Sequence, residues 1–316
     1  MKVVFMGTPE FAAICLEEIL NSKHEVVGVI TVPDKPAGRG QKLAQSAVAK
    51  LAIEKNLKLL QPEKLKNPEF LTELQSLNAD CFVVVAFRML PKEVWQIPKK
   101  GTFNLHASLL PQYRGAAPIN WAIINGETET GVTTFLIDEK IDTGNILLKE
   151  KVEITTEDDA GTLHDQLAEI GKKTIIQTLN GLETNSIQPL PQENLGILKA
   201  APKIFKEDCK INWEESLENI HNKIRGLSPY PVAWTFFSKD GENKFVKIYK
   251  GRFEKASNPN GNLNSISFEN NQIKIQLKEG NYYVQALQIE GKRRLSDRDF
   301  INGLQDKEGW ILNENI

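Results

Sequence analysis

Cysteine is scarce and scattered, with only Cys15, Cys81 and Cys209 among 316 residues. An odd number so widely separated excludes a disulfide framework, and no pair has metal-ligand spacing, so no metal site is expected. A reducing cytoplasm fits this usage. Cys15 and Cys81 lie in apolar runs and read as small core residues. Long hydrophobic runs are missing as well. None approaches the roughly 18 residues that a membrane span needs. The start, MKVVFMGTPEFAAI, is broken by Gly7-Thr8-Pro9-Glu10 and lacks a small-residue cleavage site, so it reads as a first strand. Neither sign of charge dominates: 39 Lys and Arg against 41 Asp and Glu leave a net charge of −2. That excludes a protein holding nucleic acid by its bulk field, and any such partner must meet local patches. Internal repeats and low-complexity tracts are absent. So is the G-x-G-x-x-G fingerprint, since the first turn has a single early glycine, Gly7, which argues against a nicotinamide dinucleotide.

What is there reads as two domains. A short apolar strand over residues 2–6 enters the turn at Gly7. Thr8 is placed to cap, and Pro9 to open, a helix reaching about residue 22. A second strand follows over residues 25–32. This order argues for a Rossmann-like open parallel sheet with crossover helices. Residues 45–55 read as an amphipathic helix, residues 57–60 as a short strand, and Asn67-Pro68 opens another helix. DCFVVVA, residues 80–86, is a continuous apolar run with the length and β-branched content of a fully buried central strand. A further helix is expected over residues 161–179. Residues 188–205, punctuated by Pro189, Pro191 and Pro202 and without periodicity, read as a linker. Beyond them, short alternating strands over residues 245–249, 265–268, 272–277 and 282–289 suggest a small antiparallel barrel of the oligonucleotide-binding type. The expected organisation is thus an α/β domain at 1–187, a linker at 188–205 and a β-barrel domain at 206–316.

One stretch, residues 101–146, concentrates the chemistry. Residues 103–106 alternate apolar and polar, so Asn104 and His106 share one strand face while Phe103 and Leu105 face the core. A second strand, residues 132–137, leads into an acidic loop with Asp138, Asp142 and Gly144. Taken singly, a His beside an apolar run is usually structural, and Asn and Asp are ordinary turn formers. Together, an amide, an imidazole and a carboxylate in one cleft are the parts of an acyl-transfer site. Ligands of open α/β sheets bind at the carboxyl ends of strands, so the loop after the 80–86 strand, with Phe87 and Arg88, is expected to face the same cleft.

The run FNLHASLLPQYRGAAPINWAI at residues 103–123, followed by DTGNI at 142–146, resembles the formyltransferase family that uses 10-formyltetrahydrofolate. The resemblance covers nearly the whole chain. PDKPAGRG, KIFKEDCKINW and RGLSPYPVAWT are similar to the branch of that family acting on methionyl-tRNA. It implies Asn104, His106 and Asp142 as the catalytic set. It implies a folate pocket formed by Ser108, Leu109, Leu110 and Pro111 and by the backbone at Phe87 and Arg88, where many relatives carry tyrosine and then glycine. It implies initiator methionyl-tRNA as partner, met by Lys35, Arg39 and Lys42 and by Lys203 and Lys206, with the barrel assisting. A cytoplasmic monomer without metal is expected. A formyltransferase acting on a small amine would share the core, but the barrel and the basic loop argue against it.

Overall fold

The computed structural model describes residues 1–37, 42–193, 196–256 and 263–313. The chain forms two compact units. One comprises Met1–Pro118, Glu129–Glu153 and His164–Pro202, and the other Ile119–Thr128, Ile154–Leu163 and Lys203–Ile316.

The first unit is built on a seven-stranded sheet. From edge to edge the strands are Ile146–Glu153, Glu129–Leu136, Thr102–His106, Cys81–Val85, Lys2–Gly7, Glu25–Ile30 and Leu59–Leu60. The five from Thr102–His106 to Leu59–Leu60 run parallel, and the remaining two join antiparallel. Cys81–Val85 is buried along its whole length, as its unbroken apolar run requires of a strand covered on both faces. The chain builds outward from Lys2–Gly7 in one direction and then returns to Cys81–Val85 on its other side. Strand order therefore reverses between these two strands, and the cleft of such a sheet lies beyond their carboxyl ends.

Helix boundaries follow local chemistry. Ser46 caps Ala47–Glu54 through the Ala49 N–H, and Asn67 caps Pro68–Ser76 through the Glu69 N–H, with Pro68 opening the helix. The first helix, Glu10–Leu20, differs from expectation. Its cap is Pro9, which is extended and makes no side-chain cap bond, so Thr8 does not serve as one. The basic loop forms a small hairpin of Lys35–Ala37 against Lys42–Ala44.

The second unit carries a closed six-stranded antiparallel barrel. Ala233–Lys239, Glu242–Lys255, Gly280–Ile289, Gln272–Leu277, Ser265–Glu269 and Trp310–Leu312 pair in sequence around it, and the last returns to the first. Phe237, Val246, Ile248, Ile275, Tyr282 and Val284 fill its core together with Leu217, Ile220 and Ile224 of the helix Leu217–Gly226. Among the described residues, no helix is long and apolar enough to cross a membrane.

Among the parts not visible in the sequence are the barrel strands Ala233–Lys239 and Trp310–Leu312 and two stretches of the first unit. Ile146–Glu153 is an edge strand, and its Lys-Glu-Lys run faces solvent as edge strands require. The stretch expected as a linker is bonded into the first unit as far as Pro202. Leu190 pairs with Ile146, and Ala200–Ala201 pairs in parallel with Arg114–Gly115.

Candidate active site

The strand Thr102–His106 sets two side chains on one face. Phe103 and Leu105 are buried on the other, where Leu105 packs at Gly171 of the helix Ala160–Thr184. Asn104 is half-buried and His106 is 6% exposed. The Asn104 Oδ1 atom is buried without a hydrogen-bond partner among the described residues. An unsatisfied buried carbonyl of this kind is costly, and a ligand N–H would complete it.

His106 has a defined tautomer. Its Nε2 lies 2.8 Å from the carbonyl oxygen of Tyr113. A carbonyl only accepts, so Nε2 carries the proton and donates it, and Nδ1 is left for other chemistry. Nδ1 faces the Asp142 Oδ2 at 3.9 Å, and both side chains are largely shielded, at 7% and 13% exposure. Asp142 Oδ2 also accepts the Gly115 N–H at 3.0 Å. The structure therefore brings His106 and Asp142 into one site, with Asn104 two positions away on the same strand face.

The acidic loop reaches this place because of two glycines. At Gly144 a Cβ would stand 1.6 Å from the Leu136 carbonyl oxygen, so only glycine lets the loop close on its own strand. At Gly115, with φ of +129°, a Cβ would meet the Ala201 carbonyl at 2.3 Å, so glycine alone lets the Ala200–Ala201 segment pair there. Within the loop, Asp138 accepts from the Thr143 hydroxyl at 2.8 Å and from the Lys140 N–H at 3.0 Å. Arg114, Asp138, Glu139, Lys140, Thr143 and Gln192 line a pocket beside it.

The turn after His106 is fixed from within. Ser108 is fully buried and its hydroxyl donates to the Gln112 carbonyl at 2.7 Å. The Thr133 hydroxyl donates to the Ser108 carbonyl at 2.7 Å and accepts the Leu110 N–H at 3.1 Å. Leu110 is fully buried, and its carbonyl accepts from the Lys149 ammonium. Although Lys149 is exposed overall, partial desolvation of its ammonium against Leu110, helped by nearby Lys151, pulls it below the ordinary lysine range. Ser108 and Leu110 thus shape the loop from inside, while Leu109 and Pro111 are its half-buried members.

Phe87 and Arg88 follow the buried Cys81–Val85 strand. The Arg88 guanidinium donates to the carbonyl of Glu63 at 2.8 Å and to that of Pro62, and lies 5.5 Å over the Phe87 ring. Burial lowers its pKa. It ties the loop after Leu59–Leu60 to the loop after Cys81–Val85. Of the expected nucleic-acid contacts in the first unit, Lys35 is exposed and Lys42 lies in the hairpin strand, while Arg39 falls outside the described residues. In the second unit, Lys203 and Lys206 are exposed, with Lys203 5.2 Å over the Phe205 ring and Lys206 5.4 Å over the Phe245 ring.

Sequence reasoning missed the residues that hold these groups: the Tyr113 carbonyl, the Gly115 N–H, the Thr133 hydroxyl and Gln192. Gln192 donates to the carbonyls of Asp142 and Gly144 from a stretch without periodicity, where no signal marked it.

Comparison with known proteins gives consistent matches. The family described as formyl transferase matches residues 1–179, and its C-terminal domain matches residues 203–305. A methionyl-tRNA formyltransferase of Flavobacterium johnsoniae is 51% identical over 306 residues, spanning 96% of each chain. One of Bacteroides thetaiotaomicron is 44% identical, spanning 99% of this chain and 98% of its own. A solved structure of a sugar 3N-formyl transferase, WlaRD, in the presence of dTDP and 5-N-formyl-THF aligns with a TM-score of 0.64 and 25% identity. It spans 93% of this chain and 99% of its own.

Proposed function

This chain belongs to the formyltransferase family, and on that premise we propose that Asn104, His106 and Asp142 transfer a formyl group to an amine. The reaction moves the formyl group of 10-formyltetrahydrofolate to the α-amino group of methionyl initiator tRNA, giving N-formylmethionyl-tRNA for the start of translation. The observation that carries the site assignment is the convergence of the His106 imidazole and the Asp142 carboxylate at 3.9 Å on the strand face that presents Asn104.

The folate supplies the formyl group, and the protein supplies the proton handling and the polar contacts. An α-amino group has a pKa of about 7.7–8.0 and is largely protonated at neutral pH. Asp142 accepts the proton that the amine must lose, directly or through water. His106, with its Nε2–H committed to Tyr113, takes that proton from Asp142 at Nδ1 and delivers it to the departing nitrogen. The Asn104 amide nitrogen donates to the oxygen on which negative charge develops, and losing one such donor typically costs about 100- to 1000-fold in rate. Its buried Oδ1, unpartnered among the described residues, fits an incoming N–H. The loops at Ser108–Pro111 and Phe87–Arg88 bound the folate pocket, held from beneath by Thr133, Lys149 and the Arg88 bridge. Lys35, Arg39 and Lys42, with Lys203 and Lys206, meet the tRNA phosphates. The chain acts in the cytoplasm as a monomer, so the purified protein should sediment near 35.5 kDa.

Contrary to the expectation from sequence, a second domain does not by itself mark a tRNA substrate, because the sugar formyltransferase structure aligns over 93% of this chain. Identity of 51% with a methionyl-tRNA formyltransferase over nearly the full length favours the tRNA reading. Formyl transfer by the purified protein should be measured with charged initiator tRNA, charged elongator tRNA, uncharged tRNA and amino sugars. Transfer confined to charged initiator tRNA bears the reading out, and transfer only to amino sugars refutes it.

A further inference from the structure

Gln192 uses both ends of its carboxamide. Its Nε2 donates to the carbonyl oxygens of Asp142 at 2.9 Å and Gly144 at 2.8 Å. Its Oε1 accepts from the Arg114 guanidinium, at 2.6 Å from Nη2 and 3.2 Å from Nε. Arg114 directly precedes Gly115, whose N–H holds the Asp142 carboxylate. A ring therefore closes: Gly115 to the Asp142 carboxylate, the Asp142 backbone to Gln192, Gln192 to Arg114, and Arg114 back along the chain to Gly115. The neighbouring Tyr113 carbonyl fixes His106, so residues 113–115 hold both members of the proton-handling pair. These three residues are braced in turn from the segment that carries Gln192. The Tyr113 N–H donates to the Lys199 carbonyl at 2.7 Å, and Ala200–Ala201 pairs with Arg114–Gly115.

Asp142 needs such holding. Its φ is +54°, a left-handed conformation that residues other than glycine seldom adopt, although Asp and Asn do so more readily than the rest. The internal bonds of the acidic loop join Asp138 to Lys140 and Thr143 and do not reach the Asp142 backbone. Glutamine also suits the place by its chemistry. It offers two donors toward two carbonyls and an acceptor toward a guanidinium. Glutamate would keep the Arg114 contact but set an anion against those carbonyls, leucine would fill the space with neither function, and asparagine falls one methylene short.

We propose that Gln192 is a positioning residue for formyl transfer, setting the Asp142 carboxylate against His106 through the Arg114–Gly115 segment. The proposal rests on the reading of the site given above. Gln192 acts through Asp142, so its effect must depend on Asp142. Misplacing a reacting group by about 1 Å can cost on the order of 100-fold in rate. Gln192→Leu should lower kcat about 10- to 100-fold while KM for folate and for methionyl-tRNA stays within about threefold. Gln192→Glu, which keeps the Arg114 contact, should behave alike and serves if the leucine variant does not fold. In an Asp142→Asn background, either substitution should lower kcat by less than about threefold further. A general structural role would instead give the same loss in both backgrounds. The proposal is overturned if folded Gln192→Glu turns over within about threefold of the unsubstituted protein, or if its full loss reappears in the Asp142→Asn background. Absence of formyl transfer by the unsubstituted protein would instead overturn the functional reading on which this one rests.

Discussion

Replacing Asp142 by asparagine removes one charge and almost no volume. The asparagine oxygen can still accept the Gly115 N–H, and the loop keeps its bonds from Gln192, so the fold should persist. What is lost is a carboxylate 3.9 Å from the His106 Nδ1, with both side chains at most 13% exposed. Once Nδ1 takes up the proton during transfer, the imidazolium and the carboxylate are two unit charges about 4 Å apart, which interact by about 4 kcal/mol at an effective dielectric of 20. At about 1.4 kcal/mol per decade, that corresponds to roughly 1000-fold in rate. Loss of a positioned general base typically costs about 100- to 10,000-fold, so two independent routes to the magnitude agree. The assay is single-turnover formyl transfer to methionyl-tRNA at saturating folate, with a melting curve to confirm that the variant is folded. A folded Asp142→Asn protein within tenfold of the unsubstituted rate would refute the reasoning.

Gly144→Ala would place a Cβ 1.6 Å from the Leu136 carbonyl. The acidic loop must then leave its strand, lowering kcat by at least about 100-fold, while circular dichroism should show the sheet intact. Arg88→Ala cuts the two bonds to the carbonyls of Pro62 and Glu63 and should raise KM for folate about tenfold without raising KM for tRNA, as steady-state kinetics would read. Lys23 and the amino terminus hold Glu183 well below its ordinary range, at about 2. A depressed carboxylate stabilises the fold above its unfolded value near 4.5 and loses that contribution as pH falls from there toward about 2. Glu183→Gln should therefore weaken the fold at neutral pH and flatten the acid limb of urea-unfolding stability between pH 4.5 and 2, leaving less difference at the acid end.

The strand of the candidate site was legible because its two signals were local. The alternation of Phe103, Asn104, Leu105 and His106 assigned the faces, and the unbroken run from Cys81 to Val85 marked the buried strand beside it. Four of the six barrel strands could be read for the same reason, with Gln272–Leu277 found at its full extent, whereas Ala233–Lys239 and Trp310–Leu312 were not. The resemblance, rather than any pattern, supplied the folate and the tRNA. What stayed hidden depends on long-range pairing. Ile146–Glu153 is charged because it is an edge, so it lacks the apolar alternation that announces a strand. Residues 188–205 read as a linker because the pairings of Leu190, Lys199, Ala200 and Ala201 are backbone bonds to Ile146, Tyr113, Arg114 and Gly115, joined by one glutamine side chain, Gln192. No periodicity records such bonds. Arg88 was singled out only as a departure from its relatives; its two carbonyl partners lie 25 and 26 residues earlier, beyond any local pattern.

The central claim is that the imidazole of His106, exchanging a proton at Nδ1 beside Asp142, carries the transfer of the formyl group. Its most direct test is the rate of formyl transfer by His106→Ala with charged initiator tRNA, taken beside the affinity of that variant for the same tRNA. The account predicts a rate reduced by at least about 100-fold with tRNA affinity unchanged, and near-normal turnover in the variant would contradict it.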